Sequence, residues 1–187
     1  MNNTNPSNPS LWNLIVKTSV VHTLTYFLMG VLAFNLLDYA NSYISGVLAC
    51  FMRPTDSPWV AAGPMLQPIR GLIFASVFYL LREPFFGKKN GWWVMGWTLV
   101  ALGILSTFGP APASVEGMIY TIIPTNIFSY VEVVPQAFLF SALLYYWVNH
   151  PEKKWLSWVL GILFAIVVLM SALGVMAATG LLQVPAA

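Results

Sequence analysis

The chain has 187 residues, of which 58% are hydrophobic and only 7% are charged, whereas an ordinary soluble domain carries about 25% charged residues. Its eight Lys and Arg and six Asp and Glu side chains are too few to cover the surface of a water-soluble fold of this size. The composition and the mean hydropathy of +0.74 exclude the soluble class. They predict a multi-pass protein of the cell membrane, with the lipid bilayer as its surroundings.

The same composition excludes several functions. A net charge of +2 is too small and too scattered for binding phosphate backbones, so we exclude nucleic acid as a partner. The single cysteine, Cys50, excludes a dithiol redox pair and a thiolate-based zinc site. The chain also lacks a Walker A loop and the GxSxG and HExxH motifs. The sequence therefore argues against an enzyme and assigns neither a metal nor a cofactor.

Five stretches are apolar over about 20 residues, the length of a helix that crosses a hydrocarbon core of roughly 30 Å. None alternates in the manner of a membrane β-barrel, so we predict an all-α bundle. The five predicted spans are about Val16–Leu37, Val60–Leu81, Trp92–Phe108, Ile127–Val148 and Trp155–Ala178. Residues 1–187 then form a single transmembrane domain, with a polar tail over residues 1–13 and longer loops over residues 38–59 and 109–126.

Basic residues are distributed unevenly between the two ends of these spans. Lys17 and the loops over residues 82–89 and 149–154 fall on one side and hold six of the eight Lys and Arg residues. Cytoplasmic loops carry the excess of such residues, so we predict a cytoplasmic N-terminus and an extracytoplasmic C-terminus. Tryptophans that favour the headgroup level fall at the same predicted interface: Trp92, Trp93, Trp147, Trp155 and Trp158.

Both longer loops lie on the extracytoplasmic side in this topology, and each contains a short apolar segment. The segment YISGVLACFM, residues 43–52, is too short to cross a bilayer, so it is expected to lie along the outer surface or to continue the first helix. In the second loop, Ser114 is predicted to cap a short amphipathic or re-entrant turn between Pro112 and Pro124.

Polar residues at membrane depth are the main candidates for a functional site. The second span contains Gln67 and Arg70, and the fourth contains Glu132 and Gln136. A rise of about 1.5 Å per residue from the outer ends places all four in the outer half of the membrane. An unpaired guanidinium there costs at least about 3 kcal/mol, so we expect Arg70 to pair with Glu132 and the glutamines to add hydrogen bonds. Asp38, at the outer end of the first span, is placed to join this cluster.

Two interpretations of this cluster remain open. It is either a clamp that fixes the packing of the second and fourth helices, or a site that binds or translocates a small solute or ion. Pro64, Pro68 and Pro135 lie near the same depth and leave backbone carbonyls free. Because interrupted helices often line solute cavities, the prolines favour the second interpretation.

Two further titratable residues are secondary candidates. His22, in the cytoplasmic third of the first span, is suited to proton relay, although hydrogen bonding to a neighbouring helix is the commoner role. Ligation of haem by two histidines would need His150, which falls in a cytoplasmic loop. Glu116, in the second outer loop, would join Glu132 as the carboxylate pair of a membrane enzyme acting on a lipid or isoprenoid.

Small residues recur at helical spacing, above all in the last span, which has no ionisable residue. Such spacing allows close approach of helices within the fold, or of a partner membrane protein or a second copy of the chain. The pairs are Gly71/Ala75, Gly161/Ala165 and Gly174/Ala178. The sequence thus leaves three hypotheses: a binding or translocation site, a non-catalytic accessory subunit of a larger membrane complex, and a lipid or isoprenoid enzyme.

Overall fold

The computed structural model describes residues 9–122 and 128–182. All regular secondary structure in these two ranges is helical, which confirms the all-α prediction. The elements are α1 (Leu11–Leu36), α2 (Tyr39–Ser42), a 3-10 turn (Gly46–Cys50), α3 (Pro58–Ala61), α4 (Gly63–Leu80), α5 (Arg82–Phe86), α6 (Gly91–Val100) followed by a π turn (Ala101–Leu105), α7 (Val115–Tyr120), α8 (Phe128–Val131), α9 (Val133–Asn149) and α10 (Lys154–Ala178).

Two of these helices, α1 and α10, are long and apolar enough to cross a membrane. The second, third and fourth predicted spans coincide with α4, with α6 and its π turn, and with α8 and α9. These helices are shorter, at 18 residues for α4 and 17 for α9. The predicted start of the fourth span, Ile127, lies outside the described residues. Length and apolarity therefore identify two candidate spans among the described helices, not five.

The first helix begins at Leu11 rather than near Val16 because Ser10 caps it. The Ser10 hydroxyl oxygen accepts a hydrogen bond from the Asn13 N–H at 3.3 Å, which satisfies one of the free amides of the first turn. The polar tail predicted over residues 1–13 therefore ends too late, and its residues 1–8 lie outside the described part of the chain. The apolar segment over residues 43–52 does not continue α1, because Asp38 adopts a left-handed φ of 49° and turns the chain.

The predicted fourth span is two helices, and proline explains the break between them. α8 ends at Val131 and α9 begins at Val133, so Glu132 sits at the interruption. Pro135 has no N–H to donate to the carbonyl of Val131, four residues earlier. A carboxylate therefore lies where the helical hydrogen bonding is broken.

The bundle is organised around α1, which packs against α4, α9 and α10, while α9 also packs against α6. Gly71 permits the close approach of α4 to α1, since a Cβ at this position would lie 2.4 Å from the Ser19 Cα. The Ser19 hydroxyl donates to the Pro68 carbonyl at 3.3 Å. Of the small-residue pairs, Gly71/Ala75 is thus a true helix contact, whereas a Cβ added at Gly161 would meet open space.

A buried lysine joins α1 to the C-terminal end of α9. The Lys17 ammonium donates to the Trp147 carbonyl at 2.9 Å and lies 5.4 Å from the centroid of the indole ring. The Trp147 indole N–H donates in turn to the Ser157 hydroxyl at 3.0 Å. Trp147 is 5% exposed, so it packs in the core rather than anchoring the chain at an interface. Trp155 and Trp158 are exposed.

The short helix α7, in the loop that follows the π turn, begins at the predicted cap. The Ser114 hydroxyl oxygen accepts a hydrogen bond from the Gly117 N–H at 2.9 Å, which confirms the capping prediction. Gly117 is required at this position because a Cβ would lie 1.9 Å from the Ala111 carbonyl oxygen. The second predicted boundary of this turn, Pro124, lies outside the described residues.

Candidate functional site

A cavity of about 330 Å³ lies between α1, α4, α6 and α9, and we call it the central cavity. Its polar lining residues are His22, Tyr26, Arg70, Glu132 and Gln136. The rest of its wall is aromatic and aliphatic. The volume is at the lower end of the roughly 300–1,000 Å³ that is usual for small-molecule sites, so the cavity suits a small ligand.

Three members of the predicted cluster, Arg70, Glu132 and Gln136, line this one cavity. The predicted ion pair is not formed, because within the described ranges the Arg70 guanidinium has no carboxylate at ion-pair distance. It lies instead over the Phe74 ring, 5.8 Å from the ring centroid. Arg70 and Glu132 therefore share a cavity without neutralising each other through direct contact.

The partner of Glu132 is a tyrosine that the sequence did not single out. Tyr39 donates a hydrogen bond from its hydroxyl to Glu132 Oε2, and its ring stacks on that of Tyr43 with 4.7 Å between centroids. Tyr39 reaches the carboxylate because the left-handed Asp38 directs α2 back over the bundle. No pattern in the sequence signals this contact, since it depends on the direction the chain takes after α1.

Asp38 and Glu116 do not join the central cavity. The Asp38 carboxylate is exposed and accepts hydrogen bonds from the Asn41 amide at 2.8 and 3.1 Å. Glu116 lies in the first turn of α7 and lines none of the three described cavities to which Glu132 contributes. The structure thus does not bring Glu116 and Glu132 together as a carboxylate pair.

His22 lies near the middle of α1 and faces the central cavity. Its ring is 3% exposed and makes edge contacts with Phe74 at 5.0 Å and Phe140 at 5.4 Å between centroids. Its Nε2 atom is enclosed, and the Gln67 side chain lies beside the ring. The contacts of this histidine to neighbouring helices are therefore mainly aromatic, with the Gln67 amide as a polar neighbour.

Gln67 lies beside His22 and is almost fully buried. Its amide N–H donates to the Gly63 carbonyl at 2.9 Å, while its Oε1 atom lacks a partner within the described part of the protein. Gln67 is not a lining residue of the central cavity. The Gln67 amide and the His22 ring are therefore polar neighbours behind the cavity wall.

Glu132 lies where three cavities adjoin. It lines the central cavity, a side cavity of about 270 Å³ between α1 and the loop over residues 38–59, and a cavity of about 620 Å³ beneath the loops over residues 38–59 and 109–122, which we call the outer cavity. Gly103 and Ile104, in the π turn of the third predicted span, line both the central and the outer cavities. Such turns often occur at functional sites. Glu132 and the π turn therefore form the boundary between the central and the outer cavities.

Two tyrosine hydroxyls near Glu132 have raised pKa values. Burial, followed by the negative charge of Glu132 and the neighbouring Tyr26, raises the pKa of Tyr43 to about 12. Burial, followed by the hydrogen bond to Glu132, raises the pKa of Tyr39 as well. Both phenols are therefore protonated at neutral pH, which leaves the Tyr39 hydroxyl able to donate to the carboxylate.

We expect the Tyr43 phenol to ionise near pH 12 rather than at its ordinary pKa of 10.0. Its contribution to stability is complete below pH 10.0 and is lost as the pH rises to about 12, since the unfolded chain releases this proton first. Ultraviolet titration of tyrosinate, compared between the wild type and Tyr43→Phe, measures this midpoint.

The negative charge of Glu132 contributes to the raised pKa of Tyr43, so a variant at Glu132 tests whether the shift arises at this site. Glu132→Gln should lower the midpoint because it removes a negative charge, whereas Glu116→Gln should leave it unchanged. A Tyr43 midpoint at the ordinary tyrosine pKa in the wild type would contradict its burial beside Glu132.

Comparison with protein-family models, with curated proteins and with solved structures finds no match. Within the described ranges, no group of three or more His, Cys, Asp and Glu side chains is placed to hold a metal ion. The side chains that do converge are a guanidinium, a carboxylate, an imidazole and an amide on an aromatic wall. This set is suited to recognising the polar end of a small organic molecule.

Proposed function

We propose that the chain crosses the cell membrane five times, with its N-terminus in the cytoplasm, and that the central cavity binds or translocates a small solute or ion. The observation that carries this proposal is the convergence of Arg70, Glu132 and His22 on one space between helices. Ionisable side chains are costly at membrane depth, and where they occur they commonly mark substrate or ion pathways.

The distribution of apolar surface supports insertion by more than two helices. Large apolar side chains on α4 and α10 are at least half exposed: Ile69, Leu72, Ile73, Ile162, Leu169 and Met170. Soluble monomers rarely expose contiguous apolar patches of more than a few hundred Å². A lipid environment accommodates such side chains on α4 as well as on α10.

Contacts between the basic segments support the proposed orientation. The ammonium of Lys17 bonds to the Trp147 carbonyl, at the end of α9. The Tyr145 hydroxyl donates to the Lys88 carbonyl at 3.0 Å. These contacts gather the segments that carry most of the Lys and Arg residues at one end of the bundle, the end that the positive-inside rule places in the cytoplasm.

Cysteine labelling tests the membrane and the cavity together. In a Cys50→Ser background, Leu99→Cys places a thiol in the wall of the central cavity, and Leu173→Cys places one on the outward face of α10. Both lie about 8–9 Å from the outer ends of their helices at 1.5 Å per residue. We expect a membrane-impermeant methanethiosulfonate added outside intact membranes to label Leu99→Cys faster than Leu173→Cys.

Exposure in the protein alone predicts the opposite order. Leu173 is 46% exposed, whereas Leu99 is only partly exposed, so a chain surrounded by water would react faster at position 173. Faster labelling at position 99 requires lipid around α10 and water in the cavity. Faster labelling at position 173, or a lack of labelling at position 99, would overturn the proposal.

A second candidate function is that of an accessory subunit of a membrane complex. The large exposed surface of α10 favours it. Only Leu160, Val167 and Ser171 are buried on this helix, so most of its surface is free to meet lipid or another membrane protein. Extraction in a gentle detergent followed by mass determination distinguishes the two. A monomer or homo-oligomer would count against the accessory role, and a stable complex with another protein would support it.

A further inference from the structure

Resting on the proposed function, we infer that the central cavity recognises a small organic acid. Its carboxylate is held by Arg70, and its apolar or aromatic body lies against the rings of the wall. The inference stands on four features of the cavity: a cation with no carboxylate at ion-pair distance among the described residues, a histidine that presents its ring, the engagement of Glu132 by Tyr39 and the aromatic nature of the wall.

The first feature is a cation without an anionic partner. The Arg70 guanidinium lines the cavity and, among the described residues, has no carboxylate at ion-pair distance; it lies over the Phe74 ring. A ring face compensates a guanidinium far less than a carboxylate does. Arginine also presents a planar fork of N–H groups that matches a carboxylate with two hydrogen bonds. Its position therefore favours an incoming anion.

The second feature is the buried ring of His22. The side chain is 3% exposed and lines the same cavity as Arg70. Its Nε2 atom is enclosed, with the Gln67 side chain beside the ring, so a ligand in the cavity does not reach this nitrogen. The histidine therefore adds a further ring surface to the wall beside the guanidinium.

The third feature distinguishes an anion from a cation as the ligand. The carboxylate of Glu132, which could otherwise attract a cation, already accepts a hydrogen bond from the Tyr39 hydroxyl and also lines the outer cavity. On the opposite wall, formed by α1 and α4, Arg70 carries the positive charge and Tyr26 a hydroxyl that can donate. Positive charge therefore prevails on the α1 and α4 side of the central cavity.

The fourth feature is the wall that would receive the rest of the molecule. Phe74 and Phe140 lie 5.9 Å apart between ring centroids and both contact His22. Rings at this spacing offer faces and edges for an aromatic or apolar group. Because the cavity is about 330 Å³, the acid is expected to be small.

Three probes of nearly equal size test the inference: benzoate as the anion, benzamide as its neutral isostere and benzylamine as a cation. Binding is measured by calorimetry at neutral pH on the full chain in phosphatidylcholine nanodiscs. Loss of a hydrogen bond to a charged group corresponds to about tenfold or more in affinity. We expect benzoate to bind at least about tenfold more tightly than either other probe, and to slow thiol labelling of Leu99→Cys.

Variants assign the effect to Arg70. Arg70→Gln should weaken benzoate by about tenfold or more and leave benzamide unchanged. Arg70→Lys, which keeps the charge but lacks the planar fork of N–H groups, should weaken benzoate by a smaller factor and serves as a second test if Arg70→Gln fails to fold. The control is Arg53→Gln, since Arg53 lies over Trp59 and outside the cavity; it should leave benzoate binding unchanged.

The outcomes separate this inference from the proposed function. Equal binding of the three probes, or full benzoate affinity in folded Arg70→Gln, would overturn recognition of an acid while leaving a solute cavity in place. Failure of all three probes to bind, with Leu99→Cys still labelled faster than Leu173→Cys, would also overturn the inference alone. Failure of the labelling itself would overturn the proposed function.

Discussion

Replacement of Gly71 by valine is expected to lower the free energy of unfolding by about 3 kcal/mol, at the upper end of the usual effect of overpacking. Even the first added carbon would lie 2.4 Å from the Ser19 Cα and 2.6 Å from its Oγ. The atom in the way belongs to the backbone of α1, so no rotamer change can relieve the clash. The two helices would have to separate.

This separation would also open the candidate site, because α1 carries His22 and α4 carries Arg70. Thermal unfolding in detergent measures the change, with Gly161→Val as the matched control. A Cβ at position 161 meets no atom within 4 Å, so the control introduces the same side chain into a helix without a clash. Equal melting temperatures for the two variants would contradict the close approach of α1 and α4.

Replacement of Gly103 by tryptophan is expected to weaken benzoate binding at least about tenfold while the protein remains folded. Gly103 lies in the π turn and lines both the central and the outer cavities. A Cβ there meets nothing within 4 Å, so the side chain can be added without displacing the backbone. An indole is large enough to occupy much of a cavity of about 330 Å³, which leaves little room for a ligand.

The control for Gly103→Trp is Gly161→Trp. It adds the same side chain to α10, at a position where a Cβ also meets no atom within 4 Å. Calorimetry with benzoate measures binding, and the melting temperature verifies that each variant is folded. We expect at least tenfold weaker binding in Gly103→Trp and no change in Gly161→Trp. A folded Gly103→Trp that binds benzoate normally would show that the ligand lies elsewhere.

The candidate site was predictable in part because depth can be counted along a helix. Arg70, Glu132 and Gln136 were placed at similar depth from the rise per residue, and all three line the central cavity. The predicted pairing of Arg70 with Glu132 was wrong, because depth in the membrane does not reveal that Tyr39 competes with Arg70 for the Glu132 carboxylate. Tyr39 reaches Glu132 only through the left-handed turn at Asp38, a contact across 93 positions of the chain.

The helix contacts were also predictable only in part. The pairs Gly71/Ala75 and Gly161/Ala165 have the same spacing and the same predicted role, yet only the first faces another helix closely. Trp147, predicted at the lipid interface, is buried under Lys17 and bonded to Ser157. In each case the local pattern was correct, and the rotation of the helix about its own axis decided what the side chain meets.

The sequence by itself determined the features that depend on neighbours along the chain: the helical nature of all regular secondary structure in the described ranges, the Ser114 cap and the break in helical hydrogen bonding before Pro135. Only the tertiary structure decided that Glu132 bonds to Tyr39, that Arg70 and His22 line one cavity, and that Glu116 lies apart from them. The physical reason is that backbone hydrogen bonding and apolarity act over a few residues. The choice among many polar partners of comparable energy is made by helix rotation and loop direction, which are set by packing across the whole bundle.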